Sequence, residues 1–247
     1  MGPRDPDPDQ PRGRRVNNTS TLPTIGDRDR LDVDHIGPGV PFGDAVRRRI
    51  DGNFPVDPFG FDPHLVDLVS PLFSGVIRVD VEGGDHLPTT GPASIVANRG
   101  FGIAEPAVLG IAVRRSVARR LRIVGAPSVP VLSGIARRLG AISASGPDMR
   151  ACLRAGNLVA VPLAPTWLRT GAGIPPRPLL QAMANAPIVP VAVTPGGPFG
   201  TALAPWKVRF GPLVTLPDPY DPDDPLAAAR FGEAVRDSVA GLLEEES

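Results

Sequence analysis

The sequence predicts an α/β protein: a single domain with a mostly parallel central sheet flanked by helices. From residue 76 onward, short apolar segments alternate with segments of helical spacing, an order typical of parallel sheets covered by helices. The segment Ala93–Asn98 is apolar almost throughout, as expected for a strand buried on both faces. The chain has 247 residues, which is long enough for one such domain with a sizeable core and a tail.

The first 40 residues differ from the rest of the chain in composition. They are rich in Asp, Pro, Arg and Gly and contain few apolar side chains. Such a segment cannot bury enough surface to offset the entropy of ordering it. We therefore predict a disordered tail over residues 1–40.

Residues 41–75 are predicted to form a helical lead-in to the sheet. A short helix is expected over Asp44–Ile50, followed by an extended, turn-rich segment. A second helix is expected over His64–Phe73, because Asp62 can cap it and Pro63 suits its first position.

The domain itself is predicted over residues 76–247. Glycines at 140 and 156 are expected to end two of its helices. The predicted strands are Val76–Glu82, Ala93–Asn98, Arg122–Gly125, Ala141–Ala144, Leu158–Val161, Ile188–Val193, Val208–Phe210 and Leu213–Leu216. The predicted helices are Pro106–Arg120, Val129–Leu139, Asp148–Ala155, Pro178–Asn185 and Leu226–Glu245.

Composition excludes several classes of protein. The net charge is zero, so no global field favours nucleic acid or anionic lipid. The single Cys152 rules out an internal disulfide framework and fits a reducing compartment. No apolar run reaches about 18 residues, so no transmembrane helix is expected. The N-terminus lacks an apolar core, so no signal peptide is expected. We expect a cytoplasmic protein, with peripheral attachment to the inner face of the plasma membrane as the alternative.

The most informative motif runs from Ser94 to Pro106, Ser-Ile-Val-Ala-Asn-Arg-Gly-Phe-Gly-Ile-Ala-Glu-Pro, and reads as strand, turn and helix start. It resembles the glycerolipid (lysophosphatidic acid, or 1-acylglycerol-3-phosphate) acyltransferase family. Further blocks resemble that family in the correct order: 133–142, 153–161 and 186–193. Residues 55–63 resemble the lead-in of an actinobacterial subgroup. The resemblance covers roughly residues 76–216 and implies an acyltransferase-like domain.

The resemblance also implies that the family's catalytic histidine and aspartate are missing from this chain. The family has Asn-His followed four residues later by Asp, and its histidine deprotonates the acceptor hydroxyl. Here Asn98 is in place, but Arg99 holds the histidine position and Ala104 the aspartate position. An arginine stays protonated and cannot serve as that base. Candidates for a relocated catalytic group are Glu105 and His86, while Arg99 and Glu105 alternatively form an ion pair.

The second family motif is altered as well. Where the family has Phe-Pro-Glu-Gly, this chain has Pro-Leu-Ala-Pro at 162–165. Substrate-binding candidates are therefore limited to Asn98 and Arg99 together with Arg169 and Arg177, which can contact an anion or remain exposed loop arginines. No Walker, Rossmann or nucleophile-elbow motif and no zinc-type His/Cys cluster is present in the sequence.

Four arginines, Arg114, Arg115, Arg119 and Arg120, are predicted on one outer side of the helix over 106–120, and Arg122 follows them in the same cluster. They form a solvated helix face, a dock for anionic lipid headgroups, or a surface for a partner protein. Nucleic acid is not expected, because aromatic content is only 5% and no stacking platform is visible.

These observations favour a pseudoenzyme: an acyltransferase-like protein that has lost catalysis and binds acyl lipid, an anionic membrane surface or a partner. The alternative is an active acyltransferase of phospholipid biosynthesis with a non-standard catalytic site. A third hypothesis is a structural or regulatory subunit, for which an active paralogue is one candidate partner. No metal and no cofactor are expected, apart from acyl-CoA or acyl carrier protein as acyl donor if the protein is active.

Overall fold

The computed structural model describes residues 47, 56–98, 104–125, 130–163, 174–195, 204–216, 221 and 223–245. The predicted tail over 1–40 lies outside the described residues. The predicted helix Asp44–Ile50 also lies outside them except for Arg47, which is helical.

Seven strands form one sheet: β1 Val79–Glu82, β2 Ala93–Asn98, β3 Leu121–Val124, β4 Ala141–Ile142, β5 Leu158–Leu163, β6 Ile188–Pro195 and β7 Trp206–Phe210. Their order across the sheet is β1-β7-β6-β2-β5-β3-β4. Every adjacent pair is parallel except β6 and β7. The mostly parallel sheet predicted from the sequence is therefore confirmed.

Six α-helices are described: α1 Pro63–Val76, α2 Glu105–Val117, α3 Pro130–Arg138, α4 Gly146–Arg154, α5 Arg177–Met183 and α6 Pro225–Glu244. A short 3₁₀ helix covers Gly84–His86. Helix α2 packs on one face of the sheet, while α4, α5 and α6 pack on the other.

The central strand β2 joins the two cores. Ile95 and Ala97 pack toward α2, and Val96 packs toward α4–α6, because successive side chains point to opposite faces. All six residues of β2 except Asn98 are buried. This explains why its sequence is apolar without alternation, and the predicted bounds of this strand are confirmed at both ends.

Helix α1 begins as the sequence predicts. The Asp62 side chain accepts a hydrogen bond from the Leu65 amide at 2.9 Å, and Pro63 occupies the first helical position. The helix continues past Phe73 to Val76, where the Ile77 amide donates to the Phe73 carbonyl at 2.8 Å. The prediction of a strand from Val76 was wrong, because those residues complete the helix and the strand starts at Val79.

Two further predictions are corrected. Helix α2 ends at Val117, not Arg120, because Ala118 adopts a left-handed conformation with φ of 55°. Residues Leu213–Leu216 do not form a strand: the segment follows Pro212, which lacks an amide donor, and Val214 makes one backbone bond to Ile188 at 2.8 Å. The other predicted elements are present with bounds that differ by a few residues.

Candidate functional site

The topology places a switch point, where a ligand crevice is expected, at the carboxyl ends of β2 and β6. The chain leaves β2 through α2 toward β3, on one side of the sheet, and leaves β6 toward β7, on the other. In open α/β sheets, ligands bind where neighbouring connections diverge in this way. Three connections follow the carboxyl ends of β2, β5 and β6 in sequence, and residues 99–103, 164–173 and 196–203 of these connections lie outside the described residues.

Asn98 lies at this edge and joins the two strands. Its Oδ1 accepts the Val193 amide at 2.7 Å and its Nδ2 donates to the Val193 carbonyl at 2.9 Å. The backbone ladder between β2 and β6 ends one residue earlier, at Ala97 and Val191. The side chain thus continues the pairing, and it retains one further N–H and one lone pair that are not used in these two bonds.

Ala104 lies at the start of α2, in the N-cap position, with no side-chain capping bond. Its methyl group offers nothing that could orient an imidazole. Glu105 is half-buried in the first turn of α2, where the helix dipole favours a carboxylate. Arg99 lies outside the described residues, so the Arg99–Glu105 pair stays a prediction.

The structure does not bring His86 together with Asn98. His86 follows β1, and β1 and β7 run opposite to the other five strands, so His86 lies at the amino-terminal edge of β2. Its Nδ1 lies 2.9 Å from the Phe210 carbonyl oxygen, at the end of β7. The length of β2, about 17 Å at 3.3 Å per residue, separates the two edges. A proton acceptor at His86 is therefore remote from the crevice.

Arg177 is at the same edge as Asn98. It is the first residue of α5, which begins on the carboxyl side of β5 and leads back into β6. Its exposed guanidinium donates through Nη2 to the Asp223 carbonyl at 2.6 Å. The guanidinium carries further N–H donors at this exposed position, and such donors suit an anion. Arg169 lies outside the described residues, and its predicted role stays a prediction.

The predicted arginine patch has intramolecular partners. Arg114 and Arg120 each donate to Asp67 of α1, at 3.0 Å to Oδ1 and 3.0 Å to Oδ2. Arg115 donates to the Val79 carbonyl at 2.8 Å. Arg119 is only 3% exposed and donates to the carbonyls of Pro88 and Gly156, at 3.1 and 2.6 Å.

This geometry corrects the expectation of an outward-facing arginine side. Only Arg114 and Arg115 belong to α2, because the helix ends before Arg119 and Arg120. The four arginines lie toward the amino-terminal edge of the sheet, away from Asn98, and three of them are half-buried or buried. Their hydrogen bonds tie α1, β1 and the connections before β2 and β5 to the end of α2.

One further arginine of the predicted cluster, Arg122, is buried, and its pairing was not predicted from the sequence. Arg122 of β3 pairs with Asp57 and stacks over the Phe61 ring at 3.9 Å from the centroid. The available signal was Asp57 in a proline- and glycine-rich turn, but nothing local connects residue 57 to residue 122. This pair holds the lead-in segment against the β3 side of the sheet.

Among the described residues, Cys152 is not a reactive thiol and no metal centre is found. Burial raises the pKa of the Cys152 thiol to about 11, so this side chain stays protonated at neutral pH. No group of three or more His, Cys, Asp or Glu side chains in the described part of the chain is arranged to hold a metal ion. Among the same residues, no helix has the length and apolar character needed to cross a membrane.

Comparison with known proteins adds the following. No family model matches the chain. Uncharacterized proteins of Mycobacterium tuberculosis and Mycobacterium bovis are 29% identical over 255 residues, which cover 80% of this chain and 71% of each relative. An uncharacterized protein of Mycobacterium leprae is also 29% identical, over 256 residues.

Among solved structures, the crystal structure of the 1-acyl-sn-glycerophosphate (LPA) acyltransferase PlsC from Thermotoga maritima is similar with a TM-score of 0.47. The two share 16% sequence identity, and the alignment covers 72% of this chain and 80% of that one.

Proposed function

We propose that this chain is an acyltransferase-like protein that has lost acyl transfer and binds an acyl lipid in the crevice beside Asn98. One observation carries the proposal: Ala104 occupies the start of α2, where the family it resembles has the aspartate that orients the catalytic histidine. The preceding catalytic position holds Arg99, which remains protonated at any physiological pH. Loss of a positioned general base lowers a rate by about two to four orders of magnitude.

Retained lipid binding is supported by the residues around the positions of the family's catalytic histidine and aspartate. Asn98 still holds the ends of β2 and β6 together, and the residues on either side of it in the sheet are apolar and buried: Ala97, Leu163 and Val193. Arg177 adds a cation at the same edge, suited to an anionic headgroup. The proposed ligand is therefore a lipid with an acyl chain and an anionic head.

The proposal places the lipid in the crevice and not on the arginine patch. Arg114 and Arg120 are held by Asp67, and Arg119 by backbone carbonyls, so binding a membrane surface there would compete with existing contacts. Docking of a partner protein, including an active paralogue, on this edge meets the same competition.

A second candidate function is active acyl transfer from acyl-CoA or acyl carrier protein. Glu105 favours it, because this half-buried carboxylate lies at the crevice edge and directly follows Ala104. As a base it would need no resident cofactor. This candidate requires turnover that depends on Glu105.

The test combines a turnover assay with lipid analysis. The purified chain is incubated with palmitoyl-CoA and lysophosphatidic acid, and release of the free CoA thiol is followed. Lipids that copurify with the protein are identified by mass spectrometry. We expect no thiol release above that of heat-denatured protein, together with a bound acyl lipid. Steady thiol release that disappears in Glu105→Gln would instead establish the active enzyme.

A double substitution that restores the family's histidine and aspartate tests directly whether their loss abolished acyl transfer. Arg99→His with Ala104→Asp reinstates the base and the carboxylate that orients it, and we expect thiol release to rise at least about a hundredfold above that of the unaltered chain. The two single variants are the matched controls, since each supplies half of the dyad. A double variant that folds, as judged by circular dichroism, but gains no turnover would contradict the idea that the rest of the site is intact.

A further inference from the structure

We propose that a second cavity, beside the edge strand β4, binds a small zwitterion: a molecule that carries an ammonium group and an anionic group. The cavity has a volume of about 370 Å³ and lies between residues 57–60, α3, β4 and the start of α4. Its volume falls in the range of small-molecule sites, about 300–1,000 Å³. Its charged walls are Asp57, Arg137 and Asp148, and Ser143 adds a hydroxyl group.

One wall is fixed and electrically neutral. Asp57 Oδ1 accepts the amides of Phe59 and Phe61, both at 2.9 Å, while Oδ2 pairs with Arg122. Arg122 is 2% exposed and stacked on Phe61, so this pair cannot rearrange without disturbing the core. The Arg122 Nη1 has no hydrogen-bond partner among the described residues, which leaves a buried donor behind the Asp57 wall.

Two opposite charges remain for a ligand. Arg137 comes from α3, and its stem packs over Gly60, where an added Cβ would lie 3.5 Å from the Arg137 Cβ. Asp148 comes from the first turn of α4, where its own amide donates to the Ser145 hydroxyl at 3.2 Å. Within the described part of the chain, neither Arg137 nor Asp148 belongs to an ion pair.

The opposite charges of Arg137 and Asp148 favour a ligand that carries both kinds of charge. A simple anion attracted by Arg137 would be repelled by Asp148, and a simple cation attracted by Asp148 would be repelled by Arg137. A molecule with both charges satisfies both side chains at once, and the Ser143 hydroxyl can donate or accept toward its polar body. An amino acid and an amine–phosphate headgroup share this chemistry.

The cavity is distinct from the crevice beside Asn98. β4 lies three strands from β2, which is about 14 Å at roughly 4.8 Å per strand. Zwitterion binding here does not depend on acyl transfer or on a lipid in the crevice, so it goes beyond the proposed function.

Isothermal titration calorimetry on the full chain tests the proposal with four probes. L-serine supplies an ammonium and a carboxylate, and O-phosphoethanolamine an ammonium and a phosphate. Ethanolamine and inorganic phosphate carry one kind of charge each. We expect at least one zwitterion to bind about tenfold more tightly than both single-charge probes, and the preferred one identifies the anionic group. Equal or tighter binding of a single-charge probe, or no binding of any probe at about 10 mM, overturns the proposal.

Substitutions of the lining residues test whether the zwitterion binds in this cavity. We expect Arg137→Gln and Asp148→Asn each to weaken the preferred zwitterion by about tenfold or more. Arg138→Gln is the matched control, because Arg138 is an exposed neighbour on α3 that does not line the cavity. Ser143→Met should block binding by occupying the cavity. Unchanged affinity in Arg137→Gln and Asp148→Asn, or an equal loss in Arg138→Gln, would also overturn the proposal.

Discussion

The two edges of the central sheet use polar side chains in different ways. At the carboxyl ends of β2 and β6, Asn98 joins two strands and leaves part of its amide unused. At the opposite edge, Arg114 and Arg120 converge on Asp67, and Arg119 is held by two carbonyls. Among the described residues, the edge richest in cations is therefore the one whose cations are most fully used within the fold. A run of arginines in a sequence indicates charge, but it does not by itself indicate a binding surface.

The largest expected effect concerns the Arg122–Asp57 pair, which holds the lead-in segment against the β3 side of the sheet. Arg122→Met removes a buried cation and leaves Asp57 without its ion-pair partner, and we expect the free energy of unfolding to fall by about 3 kcal/mol. Urea unfolding followed by circular dichroism measures it. The control Arg115→Met, at an exposed arginine, should cost less than about 1 kcal/mol. A similar decrease in the free energy of unfolding in both variants would contradict the idea that the buried arginine contributes more to stability than the exposed one.

At the crevice edge, Asn98→Ala removes both bonds to the Val193 backbone. Because the Val193 amide and carbonyl would lose their partners, we expect a loss of about 2 kcal/mol in the free energy of unfolding. Hydrogen exchange provides the sharper measurement: the Val193 amide should exchange much faster, while the Val191 amide, still in the ladder, should change little. Equal acceleration at both amides would show that the strand pairing does not depend on Asn98.

A smaller effect is expected where two arginines share one carboxylate. Asp67→Asn replaces a charged acceptor that is 8% exposed, and we expect about 1–2 kcal/mol of destabilisation. The control Asp237→Asn disrupts the surface pair with Arg236 and should cost no more than about 0.5 kcal/mol. The same substitution also tests the patch: if freed arginines recruit lipid, binding to phosphatidylglycerol vesicles should rise in Asp67→Asn and not in Asp237→Asn.

The smallest effect is electrostatic and lies at the exposed end of β1. Hydrogen bonds from Lys207 and Arg209 lower the pKa of Glu82 below its ordinary value. A carboxyl whose folded-state pKa is depressed contributes stability above its unfolded pKa, and this contribution is lost as pH falls through the folded pKa. Melting temperatures between pH 6 and pH 3 should therefore fall less steeply in Glu82→Gln than in the unaltered chain. Parallel curves would show that this cluster is fully screened by solvent.

The features predicted correctly from the sequence are those set by neighbouring residues. Asp62 and Pro63 define the start of α1, and the apolar run Ala93–Asn98 defines β2 at both ends. The end of α2 was missed because it depends on Ala118 adopting a left-handed conformation, which alanine rarely takes. Local chemistry gave no sign of that turn.

Features that join distant parts of the chain could not be predicted. Asn98 and Val193 are 95 positions apart, and Arg120 and Asp67 are 53 apart. The alanine at position 104 was visible in the sequence, and so was the arginine at 99. The remoteness of His86 was not, because it follows from the reversed direction of β1 and β7, and strand direction is set by pairing across the sheet.

The position of Arg119 has a consequence for how the sheet responds to salt. Two of its acceptors, the carbonyls of Pro88 and Gly156, belong to the connections that enter the adjacent strands β2 and β5. Because the guanidinium is shielded from solvent, dissolved ions cannot screen it as they screen an exposed pair. The segments that enter these two adjacent inner strands should therefore stay held together at high salt, even after the exposed ion pairs have weakened.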